Sequence, residues 1–296
     1  MKIDDTLVSI VLPVLNSAQY LEQSLRNCLN QSHRAVELII VDGGSSDSTL
    51  EICRQYSDSR IRVIEQSDNR GKLPGALNLG FSMAKGDYLT WTHDDNLYAT
   101  DAIARMVAQL ESSPSVGMTY ADYWLVSREL DPIRLVHVGP THDLVYRNCI
   151  GPCFLYRKAV RDRIGDYDVS TFLQEDYDYW LRVTKAFPAV ALSEPLYRYR
   201  VHDASLTGRN RRAMFDQFIR VRERHFDKQI LPSKRQALAH WYMGWAFESY
   251  FARDYADAVT NALNALLRHP RFILNRGVLS IVMRSAIHSL NAARPK

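Results

Sequence analysis

The chain has 296 residues, a formal net charge of +4, 46% hydrophobic residues and 24% charged residues. That balance excludes a disordered chain, a collagen or a coiled coil, and no apolar run approaches the ~20 residues that a membrane helix needs. At ~150 residues per domain, the length suits one large domain or two modest ones. Cys28, Cys53, Cys149 and Cys153 form no C-x-x-C pair, so reduced thiols are expected and neither a disulfide framework nor a zinc site. The opening Met-Lys-Ile-Asp-Asp lacks the basic-then-apolar pattern of a secretory leader, and a cytoplasmic protein is expected.

The charge is unevenly spread. Residues 204–296 carry 16 Lys/Arg against 6 Asp/Glu, whereas residues 1–203 carry 21 against 27. A basic C-terminal part suits an anionic partner, such as a lipid headgroup or a phosphate-bearing substrate. It equally suits a solvated helical surface.

In chain order, Val8–Leu12 is a β-branched apolar run closed by Pro13 and reads as a buried strand. Asn16 is placed to cap a following helix that carries Leu21, Leu25, Cys28 and Leu29. Glu37–Val41 is a second buried strand, closed by the turn-rich Asp42-Gly43-Gly44-Ser45-Ser46-Asp47, with a helix predicted from about Ser48 to Tyr56. Ile61–Glu65 is a third strand. Leu73–Lys85 reads as helical, with Gly86 expected at a left-handed C-terminal position, and Asp87–Thr92 is a fourth strand. This alternation predicts a mostly parallel twisted sheet flanked by helices, whose ligands bind beyond the carboxyl ends of the strands. Asp42 and Asp94-Asp95 both fall at such ends.

Residues 115–203 mix short strands and loops. From about Ala213 the pattern turns helical, and Tyr242 to Pro270 resembles one tetratricopeptide-type hairpin with small residues at Ala246, Ala258 and Ala265. A single copy reads as a packing appendage, because solenoids need about three. Phe272–Leu290 mixes apolar residues with Arg276 and Arg284, as an interfacial or a packed terminal helix would.

Three acidic positions can carry chemistry. Asp94-Asp95 offers hard oxygen ligands for a divalent cation, or else a helix cap. Asp42 before two glycines can accept from a base N–H, or else close an ordinary turn. Glu175-Asp176 opens a helix pattern and can supply a general base, or else cap that helix. Arg198, Arg200 and His202 suit a diphosphate or a metal.

Taken in order, these segments resemble the family 2 glycosyltransferases with the A-type nucleotide-sugar fold. The resemblance runs through Val8–Asn16 with its Pro-x-x-Asn turn, Glu37–Thr49, Asn69-Arg70-Gly71-Lys72 to Asn78, Gly86 to Asp95, Glu175–Arg182 and Tyr197–Ser205. It covers about residues 7–207, which sets the expected domains at 1–207 and 208–296. The resemblance implies an inverting transfer from a nucleotide-diphosphate sugar to a glycan or lipid-linked hydroxyl, in cell-surface polysaccharide or lipopolysaccharide synthesis. It also implies a Mn or Mg cofactor; no nucleic-acid partner is expected, and the basic C-terminal region is expected to make peripheral membrane contact. Asp176 would be the catalytic base and Glu175 would orient the acceptor. Asp42 would read a uracil or thymine, and Asp94 would face the ribose or sugar. Pro13, Asn16, Gly71, Lys72, Asn78, Arg198 and Arg200 would complete the donor site. Asp95 would hold the metal, with His202 as a further ligand. Two residues depart from the family pattern: Thr92, where it often has Asp, and Leu77, where many relatives carry Arg. The competing expectation is a catalytically silent sugar- or nucleotide-binding scaffold of the same fold.

Overall fold

In a computed structural model, the described residues are 6–66, 68–202, 205–226, 233–274, 277 and 279–285. The chain divides into two compact units between Arg211 and Arg212.

The first unit opens with β1 (Val8–Val14), α1 (Leu21–Leu29), β2 (Val36–Asp42), α2 (Thr49–Arg54), β3 (Ile61–Glu65), α3 (Lys72–Ser82) and β4 (Tyr88–Trp91). It continues through β5 (Leu97–Tyr98), α4 (Ala102–Ser112), β6 (Met118–Val126), β7 (Pro132–Val136), β8 (Phe154–Arg157), α5 (Lys158–Ile164), α6 (Glu175–Ala186), β9 (Ala189–Arg200) and α7 (Leu206–Arg209). All nine strands join one sheet in the order β3-β2-β1-β4-β8-β6-β9-β5, with β7 paired to β6. β1 to β4 are parallel neighbours; β8 is antiparallel to both β4 and β6, and β6 and β9 are parallel again. Six strands therefore run one way, and β5, β7 and β8 run against them. The mixed second half is what the strand–helix alternation of the first half could not reveal.

Packing explains the first half. Ile10, Leu12, Leu38 and Ile40 have no exposed surface, as expected for strands covered on both faces. α3 lies close over β1 because position 80 is glycine: a Cβ there would sit 2.5 Å from Val11 Cγ1. Two local expectations need correction. α1 starts at Leu21 with no side-chain cap, and Asn16 instead takes a left-handed φ of 54° in the loop after β1. Gly86 is not left-handed; α3 ends at Ser82, and Gly86 is glycine because a Cβ would sit 2.7 Å from the Ser9 backbone nitrogen.

The second unit contains most of α8 (Arg211–Arg224), then α9 (Lys234–Phe251) and α10 (Tyr255–Arg268). Ser233 and Asp254 cap α9 and α10 by accepting from Gln236 and Asp257 backbone N–H groups. Ala246, Ala258, Ala262 and Ala265 are fully buried between the two helices, as the hairpin pattern predicts. Asp257 accepts from Trp245 Nε1 at 2.8 Å and Ser249 Oγ at 2.7 Å, and pairs with Arg212. A short 3₁₀ turn spans Pro270–Leu274 and residues 279–285 are helical. The rest of the expected terminal helix, to Leu290, lies outside the described residues. Among the described residues, no helix is long and apolar enough to cross a membrane.

Candidate functional site

Parallel pairing of β1, β2 and β4 brings the loops after Val14, Asp42 and Trp91 to one edge of the sheet. Asp42 ends β2 and is 1% exposed. Its carboxylate turns into its own loop, accepting from Gly44 N and Ser45 N at 3.0 Å and from Ser45 Oγ at 2.5 Å. The same loop is tied to the one after β1. Asn16 Oδ1 accepts from Ser46 N at 2.8 Å, and Asp47 accepts from Ala18 N at 3.1 Å. Pro13 is the penultimate residue of β1, half-buried beneath these loops.

The turn into α3 bends through positive φ at Asn69, Gly71 and Lys72. At Gly71, with φ of 75°, a Cβ would press on Gly75 Cα and on Val169 Cγ1. Lys72 Nζ lies 4.5 Å from the Phe172 ring centroid, so this turn and the 168–174 loop are in contact. Asn78, expected at the donor, contacts Tyr167. Its amide donates to Tyr167 O and accepts from Tyr167 N, both at 2.8 Å. Both ends are spent anchoring the loop that leads to α6.

The loop after β4 carries the next two carboxylates. Burial and the charge of Asp95 raise the Asp94 pKa, while a hydrogen bond from Ser17 and the nearby His93 offset part of the rise. Asp95 Oδ2 lies 2.9 Å from His202 Nε2, and both side chains are largely buried. One carboxylate and one imidazole suit a divalent ion that takes its other ligands from phosphate oxygens. Among the described residues, no third His, Cys, Asp or Glu joins them. Thr92, where an acidic residue would otherwise be expected, is buried and shares a 2.6 Å hydrogen bond with Tyr197 OH.

α6 begins at Glu175, which places the acidic pair at its N-terminus. Asp176 Oδ2 accepts from Asn148 Nδ2 at 2.9 Å, and Oδ1 accepts from Tyr177 N at 2.6 Å. Burial raises the Asp176 pKa; these bonds and His93 counter it. Glu175 is 5% exposed, and its Oε2 has no hydrogen-bond partner among the described residues. Burial and the neighbouring Asp176 push its pKa up.

On β9, Arg198 and Arg200 differ. Arg198 is exposed. Arg200 is buried, with its guanidinium 4.2 Å from the Tyr20 ring centroid and bonded to Gln23 Oε1 at 2.7 Å. Sequence reasoning missed Asn148. It lies in an irregular segment 28 residues before its partner, and no local pattern marks it.

Residues 9–165 match the family model described as glycosyl transferase family 2. The chain belongs to this family. The match stops before Glu175-Asp176 and before β9. Among curated relatives, an uncharacterized glycosyltransferase of Rickettsia typhi is 27% identical over 212 residues, 68% of this chain and 66% of the relative. The putative teichuronic acid biosynthesis glycosyltransferase TuaG of Bacillus subtilis is 28% identical over 208 residues, 68% of this chain and 81% of that protein. The chain spans 52% of a Haemophilus influenzae relative and 66% of the Rickettsia typhi one. Two solved structures share the fold. Staphylococcus aureus TarS residues 1–349 with UDP-GlcNAc superposes with a TM-score of 0.65 at 15% identity, over 94% of this chain and 84% of that one. Mannosyltransferase PcManGT of Pyrobaculum calidifontis, with GDP-Man and Mn²⁺, gives 0.57 at 18%, over 98% and 88%.

Proposed function

We propose that this family member is an inverting glycosyltransferase that moves a sugar from a nucleotide diphosphate donor to a hydroxyl of a glycan or lipid-linked acceptor, in cell-surface polysaccharide synthesis. The observation that carries the reading is the placement of Asp42 and Asp94-Asp95 at the carboxyl ends of the parallel strands β2 and β4, with Asp95 Oδ2 2.9 Å from His202 Nε2. A carboxylate and a donor loop are what a single displacement requires on opposite sides of the anomeric carbon. Asp176 takes the proton from the attacking hydroxyl, held in place by Asn148 and the Tyr177 N–H; such help is worth ~10²–10⁴-fold in rate. Asp95 and His202 would hold a Mn or Mg ion, which when bound neutralises charge gathering on the departing diphosphate. Lys72 and the exposed Arg198 add positive charge for the same group. Asp42, at the end of β2, would read the base by accepting its N–H, which favours UDP- or dTDP-sugars.

The domain reading is that residues 1–207 catalyse and 208–296 form a helical accessory region of a cytoplasmic protein. In the second unit, Leu267, Leu274 and Met283 are 71%, 81% and 63% exposed, and Arg271 and Arg284 are also exposed. Apolar side chains among cations favour docking on an anionic membrane, where a lipid-linked acceptor would lie.

Nucleotide release from UDP-, dTDP- and GDP-sugars, with and without Mn²⁺, tests the reaction. Asp95→Ala is expected to abolish cation-dependent UDP binding in calorimetry while the fold survives; unchanged binding would remove the metal assignment. Leu267→Glu with Leu274→Glu is expected to lower pelleting of the full chain with phosphatidylglycerol vesicles. Equal pelleting of both proteins would remove the membrane reading.

A further inference from the structure

Outside the residues already assigned, one pair of side chains is arranged for use. Asp122 lies within β6, yet its side chain is only 4% exposed, a costly place for a carboxylate. The register of β6 against β9 shifts on both sides of Asp122, with the extra residues on β9. Its Oδ1 accepts from Val138 N at 2.9 Å, and its Oδ2 lies 2.6 Å from His137 Nδ1. The His137 side chain is 72% exposed. With Nδ1–H donating to Asp122, Nε2 faces solvent in a fixed direction, open to a hydroxyl.

The place of this imidazole matters. Gly139 N donates to Cys149 O at 2.9 Å, so the strand end carrying His137 runs beside the segment carrying Asn148. Asn148 in turn holds Asp176. Tyr123 pairs with Val136, next to His137, and its phenol pKa is raised by burial, by Tyr199 and by the charge of Asp176. His137 is therefore on the Asp176 side of the site, two residues of chain, at most about 7 Å, from Gly139. His137 connects to Asp176 only through the segment that carries Asn148, which places it with the part of an acceptor beyond the attacking hydroxyl.

We propose that His137, oriented by the buried Asp122, accepts a hydrogen bond from a hydroxyl on the acceptor sugar next to the one that attacks. The inference rests on the glycosyltransferase reading and names a specificity residue within it. Its consequence is a preference for an acceptor of at least two sugars.

The test uses the full chain. Nucleotide release from the best donor is measured without acceptor, then transfer to methyl monoglycosides and to soluble disaccharides and trisaccharides. His137→Asn keeps an amide N–H near the Nδ1 position for Asp122 but has nothing at Nε2. It is expected to raise the disaccharide KM roughly 3–10-fold, the worth of one hydrogen bond. The monoglycoside KM, kcat and acceptor-free nucleotide release should stay at parent values. His137→Gln, which returns a polar group near the Nε2 position, should recover part of the loss. Equal disaccharide KM for His137→Asn and parent overturns the proposal, as does an equal KM rise for monoglycosides, which would mark a structural role. Intact nucleotide release with no transfer to any of these sugars also overturns it. Absence of release from every donor would instead overturn the glycosyltransferase reading beneath it.

Discussion

The edge of the sheet built by β1 to β4 and the edge built by β6 to β9 are held together differently. In the first, β1 and β2 are largely apolar and buried, and their loops are fixed within the run from β1 to α2, by Asp42 to Gly44 and Ser45 and by Asn16 to Ser46. In the second, buried polar groups fix the structure over long separations. Thr92 meets Tyr197, Asp95 meets His202, Asn78 clasps Tyr167, and Asn148 holds Asp176. The first edge can therefore form from the stretch between β1 and α2 alone. The second depends on the whole unit having folded, and the proposed proton acceptor stands there. Substitutions at the second edge should change rate, and substitutions at the first should change stability.

The largest expected effect lies at Asp176. Asp176→Asn keeps the shape and can still accept from Tyr177 N, but it cannot take a proton. Turnover in a single-turnover transfer assay should fall by ~10²-fold or more, with UDP affinity nearly unchanged. A variant with parent turnover would place the base elsewhere and remove the contrast between the two edges.

Gly80→Ala tests the first edge. The added Cβ meets Val11 Cγ1 at 2.5 Å and Val41 Cγ2 at 3.2 Å, both on strands with no room to yield. Overpacking of this kind costs ~1–3 kcal/mol. For a unit of this size, that lowers Tm by about 2–4 °C per kcal/mol. Nucleotide release per folded molecule should be unchanged. A Tm equal to the parent's would mean that α3 can lift from the sheet without cost.

How much of this was legible in the sequence follows the same division. β1 to β4 could be read because each is an apolar run closed by a turn, and parallel neighbours need only that pattern. The acidic pair could be placed on α6 because Tyr177, Trp180 and Leu181 follow a helical period. Asn78 also clasps Tyr167 with both ends of its amide, a contact that its motif position does not reveal. Asn16 was misread as a cap because a left-handed residue and a capping residue share the same chemical type. Asn148 and the Asp122–His137 pair had no local signature at all. Their roles arise from strand pairings in the mixed half of the sheet, which single-chain periodicity does not encode.

The smallest expected effect separates the two members of the acidic pair. Asp176 has Asn148, the Tyr177 N–H and His93 to support a negative charge, whereas Glu175 Oε2 has no partner among the described residues. The proton should therefore reside on Glu175, whose pKa is raised by burial and by Asp176. The sign of the stability effect follows. Above about pH 4.3 the unfolded chain ionises this glutamate, while the folded chain keeps it protonated. The folded state then binds more protons than the unfolded state, and the group's contribution to stability declines as pH rises until Glu175 ionises in the fold. Glu175→Gln removes that decline. Its Tm relative to the parent should show no gain near pH 4 and a gain that increases towards pH 8, with each tenfold in proton affinity worth about 1.4 kcal/mol. Turnover should fall far less than in Asp176→Asn. A parent that instead gains stability relative to Glu175→Gln over that range would have Glu175 ionised. The shared proton would then lie on Asp176, and the roles of the two carboxylates would be exchanged.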